Sequence, residues 1–168
     1  MTYAQRPLLL RNLDGTHFQV VPAATDSGLA VVVSARGAAF GDLFNDGKMD
    51  VVMSTIDGPP VLLRSVVNNG NNWVDLHLIG GPKGPRDAIG AKAFLTANGM
   101  TQRNDVISGG SYISNNDMRL HFGFGKAKQI DKLEIHWPDG AKESVVLPGI
   151  NRVFTIVEGK GVATEQPK

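Results

Sequence analysis

The loop Gly41-Asp42-Leu43-Phe44-Asn45-Asp46-Gly47-Lys48-Met49-Asp50 concentrates the chemistry of this chain. Its carboxylates stand at relative positions 1, 5 and 9 with glycine at 6, the spacing by which a tight loop turns oxygen ligands toward a calcium ion. Such an ion needs hard oxygen donors at about 2.3–2.6 Å, and glycine at the sixth place lets the backbone bend sharply enough to converge them. Position 7 contributes a backbone carbonyl, so the candidate metal set is Asp42, Asp46, Asp50 and the Lys48 carbonyl. Phe44 at position 3 brings no oxygen, and Met53 at position 12 stands where an EF-hand has glutamate. The loop is therefore no EF-hand, and its expected calcium affinity falls at the weak end, ~10⁻⁴–10⁻³ M. The rival reading is a turn with solvated acids, in which Asp46-Gly47 reverses the chain into Val51-Val52-Met53.

Other residues with chemical potential read as structural. His77, His121 and His136 would bind zinc if they converged, but each falls on the polar side of its strand, where solvation or a cross-strand partner is the common fate. Ser108-Gly109-Gly110-Ser111 lacks the G-x-S-x-G pattern of a nucleophile elbow, and Asn115-Asn116-Asp117 reads as an Asx-type turn. Glu134 and Asp139 sit on one hairpin arm with no reason to flank a cleft, as a glycosidase pair must. Trp137 shares a face with Leu133 and Ile135 and is expected in the core. Trp73 shares one with Asp75 and His77 and is expected to cover a sheet rim.

The elements that must position these residues are strands. Runs of β-branched and aromatic residues bounded by Gly, Asn, Asp and Pro recur along the 168 residues, and amphipathic helical spacing is scarce. Expected strands are Leu8–Arg11, Ala38–Phe40, Val51–Ser54, Val61–Val67, Trp73–Ile79, Ala91–Ala97, Gln102–Ile107, Arg119–Gly123, Lys132–Trp137, Lys142–Leu147 and Val153–Glu158. Asn98-Gly99, Asp139-Gly140 and Asp46-Gly47 have the composition of two-residue hairpin turns with positive φ. The hexamer Pro7-Leu8-Leu9-Leu10-Arg11-Asn12 returns as Pro60-Val61-Leu62-Leu63-Arg64-Ser65, about 53 residues later, a period near that of some propeller blades. After Asn68-Asn69-Gly70-Asn71-Asn72 the pattern changes and Trp73 opens a new alternating strand.

Composition narrows the partners. A formal charge of +1 offers no field for nucleic acid or an anionic membrane, and no apolar run approaches the ~20 residues of a membrane-spanning helix. Cysteine is absent, which removes disulfides, thiolate catalysis and thiolate zinc sites.

Arg36-Gly37-Ala38-Ala39-Phe40-Gly41-Asp42, running into Asn45-Asp46-Gly47 and Asp50-Val51-Val52, resembles an FG-GAP repeat of the integrin α propeller type, whose acidic loop binds calcium. The family loop has a further Asp or Asn where this chain has Phe44. The second half resembles the ASPIC/UnbV domain of cartilage acidic protein-like proteins, including many bacterial ones. The residues that carry this resemblance are Trp73, Arg86-Asp87-Ala88-Ile89-Gly90-Ala91, Ser108-Gly109-Gly110-Ser111-Tyr112 through Asn116-Asp117, Arg119-Leu120-His121-Phe122-Gly123, and Ile135-His136-Trp137-Pro138-Asp139-Gly140.

The expected architecture is all-β: a partial propeller-like blade over residues 1–69, of the FG-GAP or VCBS type, then a β-sandwich-like ASPIC/UnbV domain over 70–158 and a mobile tail over 159–168. The resemblance implies a secreted or cell-surface protein for recognition or adhesion, without catalytic activity, and the C-terminal part of something longer. Alternatives are a carbohydrate-binding module, which would need exposed aromatics on a flat sheet face, and a hydrolase accessory domain. The open blade edge is a candidate for adding a strand from a partner or a second copy.

Overall fold

The computed structural model describes residues 3–56 and 58–163. Among these the chain forms fifteen strands, one 3₁₀ turn at Gly28–Ala30 and no α-helix, the all-β fold that its alternation demands. The first half builds two small sheets. Strands β1 (Leu10–Asn12) and β2 (Phe18–Val20) form an isolated hairpin, and β3 (Ala35–Gly41), β4 (Asp50–Thr55) and β5 (Val61–Leu63) form an antiparallel sheet in that order. The repeated hexamer lies on strands in both copies, but β1 pairs with the strand after it and β5 with the strand before it. Met53 is the one buried hydrophobic side chain described before Trp73, while Leu8, Leu10, Phe18, Leu62 and Val66 are exposed.

The second half is a sandwich. It contains β6 (Trp73–Ile79), β7 (Lys92–Ala97), β8 (Met100–Asp105), β9 (Gly110–Ser111), β10 (Ser114–Asn115), β11 (Leu120–Gly123), β12 (Lys132–His136), β13 (Lys142–Ser144), β14 (Arg152–Val157) and β15 (Gly161–Val162). One four-stranded sheet has the order β11-β6-β14-β15 and the other β13-β12-β7-β8, with β9 and β10 as a separate small hairpin. Alternation turns Val74, Leu76 and Leu78 of β6 toward Ala93, Leu95, Leu133 and Ile135 of the facing sheet, and Phe122, Phe154, Ile156 and Trp137 complete a single core. Each fully buried Leu, Ile or Phe there contributes roughly 1.5–3 kcal/mol relative to exposure, so this half carries most of the hydrophobic stabilisation. Strand β14 lies parallel to β6, from Arg152 beside Val74 to Val157 beside Ile79.

The reversals follow their sequences with two differences. Asn98 and Gly99 both take positive φ, 49° and 72°, and close the β7–β8 hairpin in two residues as expected. The Asp139-Gly140 reversal is wider. Only Gly140 of the pair has positive φ, and the Trp137 amide donates to the Ala141 carbonyl at 2.8 Å. Asp46-Gly47 is likewise no two-residue turn, because β3 ends at Gly41 and β4 starts at Asp50 with the acidic loop between them. Beyond residue 158 the chain turns back and β15 pairs with β14; the rest of the expected mobile tail, 164–168, lies outside the described residues.

Candidate functional site

The two halves meet along β3 and the acidic loop. Small residues make the close approach possible: a Cβ on Gly37 would come within 2.2 Å of Ser114 Oγ, and one on Gly41 within 2.8 Å of Asp117 Cβ. The Asp117 amide donates to the Phe40 carbonyl at 2.8 Å, and the Phe40 amide donates to Asn116 Oδ1 at 3.0 Å. Gly47, at φ +79°, lies on the indole of Trp73, where a Cβ would come within 2.0 Å of Nε1. The same indole stacks on His121, 6.1 Å between ring centroids.

Within the loop, each predicted ligand has a definite place. Asp42 and Asp50 are buried, at 2% and 1% exposure. Asp42 accepts the Asp46 amide on Oδ1 at 3.0 Å and the Gly47 amide on Oδ2 at 2.7 Å. Asp50 accepts the Ser65 amide on Oδ1 at 2.8 Å and the Leu43 amide on Oδ2 at 3.3 Å. Asp46 points elsewhere: it takes the Lys48 amide on Oδ1 at 3.2 Å and the Lys48 ammonium on Oδ2 at 3.0 Å, with Arg64 at 3.9 Å. The Lys48 hydrogen bond is the main reason its carboxyl sits below the usual carboxylate range. Every oxygen of the three acids thus accepts a donor from the protein. No cluster of three or more His, Asp or Glu among the described residues is arranged to hold a metal ion. Asp46 is turned onto Lys48 and Arg64, and Phe44 brings no oxygen at the third place, so the donor set as arranged falls short of the roughly six to eight oxygens that calcium takes.

Arg119, on the segment leading into β11, was not singled out by spacing and is central to the junction. Its Nη2 donates to the Asp42 carbonyl at 2.6 Å, its Nη1 to Asn45 Oδ1, and its Nε to Asp117 Oδ2 at 2.7 Å. The hydrogen bonds to Asp117 hold its guanidinium above the usual arginine range, with the charges of Asp117, Asp75 and Asp42 adding to them. The local signal was an Asp-x-Arg pair; the contact that matters spans 74 residues.

Asp75 was placed correctly on the outer side of β6, yet it is only 1% exposed. Its Oδ1 meets His121 Nδ1 at 2.8 Å, and its Oδ2 has no protein partner. The three histidines do not share a site: His77 is exposed on β6, His121 is on the same sheet with Asp75, and His136 is on the opposite sheet with Glu134. Trp137 is in the core and donates Nε1–H to Glu143 at 3.1 Å.

Glu134 has both oxygens engaged, one by Lys132 at 2.8 Å and one by His136. The Lys132 hydrogen bond first, then that of His136, lowers its carboxyl from an ordinary 4.5 to about 2. A depressed carboxylate stabilises the fold above its unfolded pKa, and the contribution is lost as pH falls from 4.5 toward 2. Glu134→Gln is expected to flatten that part of the stability–pH curve, read from urea midpoints. Parallel curves for variant and wild type would refute it.

A sandwich with a small sheet docked on one face by a hydrogen-bonded loop is the class of structure these contacts define. Residues 81–163 match the family model described as ASPIC and UnbV. That span takes in β7 to β15, and so includes Arg119, His121 and the β9–β10 hairpin; the acidic loop and Trp73 precede it. No curated protein matches the chain.

Proposed function

We propose that the protein is a non-catalytic recognition or adhesion module, working outside the cell or at its surface, that meets its partner through the tip of the β9–β10 hairpin. The observation that carries this reading is Ile113. A β-branched residue at φ 45° is strained by about 1–2 kcal/mol, and this one is 83% exposed next to Tyr112, itself 66% exposed. An apolar pair held out at conformational cost, on a hairpin whose base is pinned to β3, has the rigidity and chemistry of a protein-contact anchor. The match of residues 81–163 to the ASPIC and UnbV family supports a binding rather than a chemical role, as do Glu134 and the loop acids, whose oxygens are all engaged. Residues before the Asn-rich linker are read as the remainder of an FG-GAP-type repeat on the resemblance of Arg36–Asp42, Asn45–Gly47 and Asp50–Val52. Calcium is not required by this reading.

The glycan alternative loses Trp73 as its platform, because Gly47 and His121 pack against the indole. Self-association has one specific observation in its favour: β1–β2 is a two-stranded sheet with exposed side chains throughout, and such sheets are marginal alone. Light scattering at high concentration decides it.

Ile113→Gly is expected to raise the melting temperature by about 2–4 °C, since glycine relieves the strain. Tyr112→Ala is expected to leave stability within about 0.5 kcal/mol of wild type while weakening binding to an array of extracellular proteins at least roughly tenfold. Undiminished array binding by Tyr112→Ala would sink the reading.

A further inference from the structure

We propose that the acidic loop is a docking bracket that needs no calcium ion, with Arg119 holding it to the sandwich through the Asp42 carbonyl and the Asn45 side chain. The charges come first. Asp42, Asp46, Asp50 and Asp117 bring four negative charges to the junction, and Lys48, Arg64 and Arg119 bring three positive ones in contact with them or with the loop. Calcium loops gain affinity from uncompensated carboxylates; here Lys48 and Arg64 both serve Asp46 and Arg119 pairs with Asp117, while Asp42 and Asp50 are held by backbone amides.

The third loop position makes the same point. Where a metal loop has an oxygen, Phe44 offers a ring face, and the Arg64 guanidinium lies over it at 4.0 Å from the centroid. Arg64 belongs to the recurring hexamer, so the residue that breaks the metal pattern is served by a cation from the neighbouring strand end.

Arg119 supplies the link between the halves. Its fork takes a backbone carbonyl, that of Asp42, and an amide oxygen, that of Asn45, which are the kinds of oxygen a hard cation would also use. Asp117 fixes the other side of the fork, and its amide bonds the Phe40 carbonyl, so the loop is held by side chain and backbone from one short segment. A planar guanidinium with three oxygen partners sets direction as well as distance. The bracket therefore fixes the angle between the small sheet and the sandwich without depending on the calcium level.

The test uses the full chain. Calcium alone, titrated to about 10 mM against EDTA, ten times the weak end of loop affinities, is expected to leave the wild-type melting temperature unchanged and to give no heat of binding. Arg119→Met is expected to lower the melting temperature by roughly 5 °C and to speed amide exchange at Asp46 and Gly47 at least roughly tenfold, with the core strands unaffected. Arg119→Lys, which keeps charge and loses the fork, is expected to fall between. If Arg119→Met does not fold, Asn45→Gly removes the loop-side acceptor at a position already at φ 54° and is expected to speed the same amides. A calcium-induced rise in wild-type melting temperature would make the loop a metal site and overturn the proposal. So would unchanged exchange across residues 42–50 in the Arg119 or Asn45 variants.

Discussion

Gly47→Ala is expected to lower the melting temperature by about 6–12 °C, against about 2–4 °C for Gly99→Ala. The two glycines have nearly the same backbone, φ +79° and φ +72°, so an added Cβ carries a similar left-handed penalty at each, about 1–2 kcal/mol or less. They differ in surroundings. A Cβ on Gly99 meets nothing within 4 Å, whereas on Gly47 it would sit 2.0 Å from Trp73 Nε1, 2.2 Å from Cε2 and 2.3 Å from Cδ1. The indole cannot retreat freely, because its far side stacks on His121, which is tied to buried Asp75. The loop must lift, and with it go the two amides that Asp42 accepts and the grip of Arg119. Total cost is about 3 kcal/mol, concentrated at the junction. Calorimetry on both variants checks it; equal losses would mean that the indole contact has no energetic weight.

Phe122→Ala is expected to cost about 3–5 kcal/mol, seen as a lower urea midpoint at unchanged slope. Phe122 is 1% exposed at the centre of the sandwich, on β11 opposite Val74 of β6, and truncation leaves a cavity that two rigid sheets cannot close. Phe18→Ala is the matched control. Phe18 is 60% exposed on β2, so its loss is expected to stay within about 0.5 kcal/mol. If Phe18→Ala cost as much as Phe122→Ala, the β1–β2 hairpin would be covered in solution, by a second copy or by another part of a longer protein.

What the chain disclosed in advance follows from the range of the interactions. Strand β6 has the bounds that alternation gave it, Trp73–Ile79, and the Asn98-Gly99 turn is as its composition demands, because both depend on residues within a few positions of each other. Strand β2 was missed: Phe18–Val20 is three residues long and follows the polar, hydrogen-bonded turn at Asn12–His17. The expected strands Val61–Val67 and Lys142–Leu147 are cut to three residues each: β5 pairs with β4 over Val61–Leu63, and β13 pairs with β12 over Lys142–Ser144, with one more hydrogen bond from the Val145 amide to the Leu133 carbonyl.

The junction was the least legible part. Polar alternation put Asp75 on the outer face of β6, and nothing nearby in sequence says that this position is buried at the meeting of the halves. Arg119 and Asp42 are separated by 77 residues, so their contact is a property of how the sheets dock. The acids of the loop were visible from spacing, but spacing does not tell that Asp42 and Asp50 hold backbone amides while Asp46 turns onto Lys48.

The parallel pairing of β6 with β14 has a mechanical side. The chain enters the sandwich at the start of β6 and leaves it near the end of β14, and six residue pairs join the two strands side by side. Tension drawn through the domain along its own backbone pulls them lengthwise in opposite senses. Once the two-residue β15 has peeled, those rungs carry the load together rather than parting one after another like a zip, which suits a segment that has to keep its shape while its ends are under strain.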